Sequence, residues 1–179
     1  MPPRPRAPQG KSSSHSRSKV AKSLQEIYED SCRDEGVHPN STFFRLLPDK
    51  PGVLLLQDSL DLHRNYVGNR GIVPVLAVIQ RCPQIKRLIL TENGLRNSAV
   101  EAICHMVAKH GSITSIDLSD NYISEGAAVA LEQLLTETPR ITDVGLVNTK
   151  IDAETRLKLK NLAGSNQASA AANAASSAR

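Results

Sequence analysis

The chain of 179 residues has no tryptophan, two phenylalanines and three tyrosines. Any core must therefore be aliphatic, and the 40 % hydrophobic content is enough to build one. Its three cysteines are odd in number and show no paired spacing, which argues against a disulfide framework and for a reducing compartment. Cys82 and Cys104 fall on or near predicted helices and read as small buried hydrophobes, whereas Cys32 is left unassigned. No apolar run follows Met1, and no window approaches the roughly 18 apolar residues of a membrane span, so neither a secretory signal nor membrane insertion is expected.

Acidic residues are missing from the first 22 positions, which hold Arg4, Arg6, Lys11, Arg17, Lys19 and Lys22 among four prolines and five serines. Without those six, 16 basic residues face 18 acids, so the net charge of +4 originates in this arm. Such a segment is expected to be disordered when free and to contact acidic surfaces such as tubulin, RNA or an acidic protein face. The alternative is a solubilising arm with no specific partner. A mitochondrial presequence is a minor reading, against which the prolines count.

The chain also repeats. Asn65, Asn93 and Asn121 stand 28 residues apart, closing L-x-L-x-x-N in SLDLHRN and RLILTEN and its isoleucine variant in SIDLSDN. Leu62, Leu90 and Leu118 precede them by three positions, Leu60, Leu88 and Ile116 by five, and Val67, Leu95 and Ile123 follow by two. Ten, thirteen and fourteen positions on come Val75, Ile103 and Leu131, then Val78, Met106 and Leu134, then Ile79, Val107 and Leu135, a spacing that marks one helix face. Each unit reads as a short strand, a turn and an amphipathic helix that must stack on its neighbours to bury both faces. The inward asparagine amide can satisfy turn groups that have left the strand ladder.

A fourth unit keeps Ile141, Val144, Leu146 and Ile151 but carries Thr149 at the asparagine position, followed by a short charged helix over 153–162, as suits a terminal cap. Residues 164–179, made largely of Ala, Ser, Asn and Gln, are expected to form a flexible tail or a frayed helix. Before the repeats, a helix is predicted from about Lys19 to Glu35 with Val20, Leu24, Ile27, Tyr28 and Cys32 on one stripe and Gly36 at its end. A second, capped by Asn40 or Ser41, carries Phe43, Phe44, Leu46 and Leu47 up to Pro48. The organisation expected is a basic tail over 1–18, a helical cap over 19–50, repeats over 51–163 and the Ala/Ser tail.

Over roughly 53–162 the pattern resembles ribonuclease-inhibitor-like leucine-rich repeat proteins, and the resemblance implies an α/β solenoid of about four strand-helix units with parallel strands on its concave face. The string through Tyr28, Cys32, Gly36, Val37, Pro39 and Phe44 to Leu47 resembles the N-terminal header of such proteins in cilia and flagella, and more loosely tropomodulin-like capping proteins. What this implies is a cytoplasmic role linked to the cytoskeleton or a flagellum, with no chemistry.

Catalytic and cofactor motifs are not found. Gly10-Lys11-Ser12 ends like a phosphate-binding loop, but Pro5 stands where its first glycine belongs. His105 and His110 are five apart and do not share a helix face, so no metal set is expected. Asp61, Asp117 and Asp120 have no accompanying nucleophile. No enzyme, cofactor, small-molecule substrate or membrane partner is expected. The alternation of the strands points Asp61, His63, Arg87, Ile89, Thr91, Asp117 and Ser119 to the outer strand face, where Arg87 beside Ile89 suits a protein contact.

The favoured function is a non-enzymatic scaffold or assembly subunit. An alternative is an activator of a small GTPase, because Ran GTPase-activating proteins use the same repeat class; Arg64 or Arg70 would be guesses for the functional arginine. A third is a ribonucleoprotein subunit whose arm contacts RNA phosphates.

Overall fold

The computed structural model describes residues 21–177, so Arg4, Arg6, Lys11, Arg17, Lys19 and Val20 lie outside the described residues. Lys22 lies within them and pairs with Asp30.

Helix α1 (Leu24–Glu35) starts later than its apolar stripe predicts. The reason is Ser23, whose hydroxyl accepts from Glu26 N while the Glu26 carboxylate accepts from Ser23 N, a reciprocal capping box. Gly36 ends the helix in the left-handed region at φ 62°. Asn40 caps α2 (Ser41–Leu46) through Phe43 N at 2.9 Å. Tyr28 and Phe43 then meet edge-on with centroids 4.9 Å apart, and the Tyr28 hydroxyl accepts from Asn40 N at 3.0 Å. Burial pushes the Tyr28 phenol up to about 12.

Four three-residue strands follow at regular intervals: β1 (Ser59–Asp61), β2 (Arg87–Ile89), β3 (Ser115–Asp117) and β4 (Asp143–Gly145). They form one parallel sheet in chain order, and Leu60, Leu88, Ile116 and Val144 are partners across it. Between them run α3 (Gly68–Ile79), α4 (Asn97–His110) and α5 (Ala128–Glu137), with α6 (Ala153–Ser177) after β4. Along the helix layer α1 touches α3, α3 touches α4, α4 touches α5 and α5 touches α6. The architecture is mixed α/β, with a parallel sheet on one side and helices on the other.

The aliphatic positions picked out by the spacing fill the space between the layers. All three residues at each of those six positions are buried, together with Ile85, Ile113 and Ile141 before the strands. One expectation needs correction at the C-terminal end. Helix α6 does not stop near residue 162 but runs unbroken to Ser177, so of the two readings for the Ala/Ser segment, tail or helix, its described part is helical. Asn166 Nδ2 donates to Leu135 O at 2.9 Å and Ile141 O at 3.0 Å, tying the helix to the body beyond the expected boundary. Residues 167–176 are exposed all round, and their alanines carry the helix by backbone preference.

Candidate interaction surfaces

At the strand exits the asparagines join one unit to the next. Asn121 Oδ1 accepts from Asn93 N at 3.0 Å and Leu95 N at 2.9 Å, while its Nδ2 donates to Leu90 O, Leu118 O and Ser119 O at 2.9–3.0 Å. Asn93 repeats this one unit back: Oδ1 accepts from Val67 N at 3.1 Å, and Nδ2 donates to Leu62 O at 2.8 Å and Thr91 O at 3.0 Å. Asn65, at the end of the row, is half-buried and its side-chain amide donates only to His63 O, but its backbone carbonyl accepts from Asn40 Nδ2 at 2.6 Å, which clips the cap to the first unit. Thr149 donates from its hydroxyl to Leu146 O at 2.9 Å and ends the row.

The outer strand face differs from its sequence reading. Thr91 and Ser119 are only 8 % and 7 % exposed. Thr91 Oγ1 meets His63 Nδ1 at 2.6 Å, and Ser119 Oγ accepts from Val147 N at 3.1 Å. Asp61 and Asp117 fold back to accept from His63 N and Ser119 N, and Asp117 also lies over Gly145, where a Cβ would stand 2.1 Å from its Oδ1. The polar groups expected to await a partner are thus largely spent on one another. Arg87 stays exposed and Ile89 is half-buried.

Two further sets of bonds escaped the sequence reading. Near the helix starts, Asn69 Oδ1 accepts from Arg96 N (3.1 Å), Asn97 Oδ1 from Ser124 N (2.9 Å) and Glu125 Oε1 from Asp152 N (2.6 Å), each pair of acceptors 28 residues apart. That spacing was available as a signal. At the helix ends, donors from a later unit take up the last carbonyls: Arg70 bonds Glu35 O, His110 Nε2 lies 3.1 Å from Ile79 O and 3.2 Å from Cys82 O, and Arg140 bonds Val107 O and Ala108 O. His110 therefore carries its proton on Nε2. Arg64 and Arg70, the two arginines named for a GTPase regulator, are both engaged, Arg64 with Glu92 at 2.5 Å.

The turns that follow the strands form an edge of their own. Arg64, Glu92, Asp120 and Asn148 occupy it at φ of 52–59°, the left-handed region, each 28 residues from the next. Asn148 Nδ2 donates to Asp120 Oδ1 at 2.8 Å. Two positions along, the row is Tyr66, Gly94, Tyr122 and Lys150. Tyr66 is 84 % exposed and Tyr122 59 %. The Arg96 guanidinium lies 5.7 Å and the Lys150 ammonium 5.8 Å from the Tyr122 ring centre, within reach of a cation–π attraction. A hollow beside this ring is walled by Glu92, Asp120, Asn148 and Lys150.

The groove between α4 and α5 gathers Glu101, Cys104 and His105, residue types that serve nucleophilic catalysis. Here they do not combine. Burial pushes the Cys104 thiol up to about 12, and His105 Nε2 faces Lys109 Nζ at 2.8 Å. Cys32 and Cys82 are likewise buried, free and raised by burial. Among the described residues, no helix is long and apolar enough to cross a membrane.

Neither the protein-family models nor the curated proteins give a match to the sequence. Among solved structures, the fold is similar to leiomodin-1 actin-binding site 2, with a TM-score of 0.56 at 14 % identity, covering 86 % of this chain and 95 % of that one. At that identity the likeness bears on the fold, and the fold it supports is a mixed α/β one with a parallel sheet.

Proposed function

We propose that the chain is a short, capped leucine-rich repeat solenoid that serves as a non-enzymatic protein-binding scaffold in a cytoskeletal assembly. The observation that carries this reading is the side-chain bonding between units at strand exits, helix starts and helix ends. Such bonding leaves little freedom between neighbouring units, so side chains on the turn edge are displayed on a pre-organised backbone, which lowers the ordering cost of binding. Tyrosine and arginine, the types that concentrate binding energy at protein interfaces, stand exposed there as Tyr66, Tyr122 and Arg96. The structural neighbour is an actin-binding site by its title, which makes actin the first polymer to try.

The test is cosedimentation of the full chain with filamentous actin and with microtubules, beside quantitative capture from native cell fractions. Saturable cosedimentation with one polymer, or reproducible enrichment of a defined cytoskeletal complex, is expected. A chain that stays in the supernatant and captures nothing overturns the scaffold reading. Deletion of residues 1–22 in the same assays separates the arm's contribution, because binding through it falls steeply with salt.

A further inference from the structure

We propose that Tyr122, Arg96 and Lys150 form the docking site for an extended acidic peptide segment of a partner protein. This rests on the scaffold reading and names the chemistry of what that scaffold holds. Among the described residues, the ion pairs are those of Lys22, Arg33, Arg64 and Lys158, so neither Arg96 nor Lys150 has a carboxylate partner. Both cations lie instead against one ring. That arrangement orders them before binding and leaves their charge to be matched by a ligand.

The wall of the hollow narrows the class of ligand. Glu92 and Asp120 stand beside Lys150, with one oxygen of each already bonded to Arg64 and Asn148. A continuous phosphate backbone would meet these two acids and be repelled. A peptide offers both of the groups required, carboxylates for Arg96 and Lys150 and backbone N–H groups for the acid oxygens. Gly94 leaves the row open between Tyr66 and Tyr122, since no heavy atom lies within 4 Å of where its Cβ would be. An extended segment can therefore run along the edge from one tyrosine toward the other. The chain's own N-terminal arm is basic and does not fit.

Binding is followed by titration calorimetry, a readout that survives replacement of Tyr122. The full chain is titrated with an eight-residue peptide alternating Glu and Leu, with its Gln counterpart and with single-stranded poly(U). Saturable, salt-sensitive binding of the Glu peptide alone is expected. Joint replacement Arg96→Gln and Lys150→Gln should weaken it by about tenfold or more, Tyr122→Leu by a similar factor and Tyr122→Phe by less than about twofold. Lys158→Gln, on another face, should leave it unchanged.

Equal affinity in the double variant, equal binding of the Gln peptide, or tighter binding of poly(U) through the same residues overturns the proposal. Polymer or complex capture that survives Arg96→Gln and Lys150→Gln keeps the scaffold and removes this site from it, whereas a wild-type chain that captures nothing removes the scaffold itself.

Discussion

The strand exits and the helix ends solve the same problem in opposite ways. At both, backbone groups leave regular structure and need partners from the next unit. At the exits, one residue type at one spacing does this: the amides of Asn93 and Asn121 each accept backbone N–H from the preceding unit and donate to carbonyls of that unit and their own. At the helix ends only carbonyls are stranded, and Arg70, His110, Arg140 and Asn166 all serve. The difference teaches that a repeated site constrains residue identity only where it demands both donor and acceptor in one short side chain. Where it demands donors alone, any N–H on a side chain of sufficient reach will do.

Both rims hang on the same aliphatic spine, so the harshest way to break the comparison is to hollow that spine. Leu118 is fully buried in the third unit, and Leu118→Ala should cost about 2–5 kcal/mol in denaturant unfolding. That is a large part of the stability of a small domain, and both rims should fail with it. A variant that melts like the wild type contradicts the stacking.

Asn121→Ala tests the exits next. It strands the N–H groups of Asn93 and Leu95 and the carbonyls of Leu90 and Leu118, leaves Ser119 O with Glu92 N as its donor, and should cost about 3 kcal/mol. Asn121→Asp sharpens the test, because the carboxylate keeps the acceptor and loses the donor; it should fall close to the alanine variant. Asn65→Ala, at the half-buried end of the row, should cost less than about 1 kcal/mol. If Asn65 and Asn121 prove equal, the bonding between units is not what stabilises them.

The helix ends should be more forgiving. Arg140→Met removes the donor to Val107 O and Ala108 O while keeping most of the stem, with an expected cost of about 1–2 kcal/mol. Arg140→Lys should recover much of that, since an ammonium N–H on a stem of nearly the same length replaces the guanidinium. Exchange of donor type is thus expected to be tolerated here and refused at Asn121, and unfolding midpoints of the four variants decide it.

The same asymmetry explains what could be read from the chain. The strands, the inward aliphatic positions and the 28-residue register were legible because every unit presents the same geometry and so selects the same residue types. Asn69 and Asn97 share that spacing and could have been read with them; Glu125, a different residue type, hid the third member. The helix-end donors were not legible, since their types differ and His110, Arg140 and Asn166 follow one another at 30 and 26 residues. The bonds made by Thr91, Ser119 and Asp117 are hidden from the sequence because alternation gives direction but not what a side chain reaches once it points there. Alternation could not show Asp117 folding over Gly145. The full length of helix α6 is not legible because its surface looks like a tail, and only the contact of Asn166 with α5 and the segment before β4 shows where packing ends.

The smallest effect concerns the turn edge, where geometry repeats but residue identity does not. Glu92 and Asp120 share a left-handed backbone at φ 53° and 59°. Aspartate tolerates that region better than glutamate, because its short side chain can bond locally. Relief of the strain should therefore be greater at Glu92. Glu92→Gly is expected to stabilise the chain by about 1 kcal/mol or less, and Asp120→Gly by less still, part of each gain being offset by the entropy glycine adds to the unfolded state. Measured in an Arg64→Gln background, the Glu92 comparison is freed from the ion pair with Arg64. A loss at Glu92 under those conditions would mean that the acid is held by its neighbours in a conformation it does not resist, and that the turn edge is as tightly specified as the asparagine row beside it.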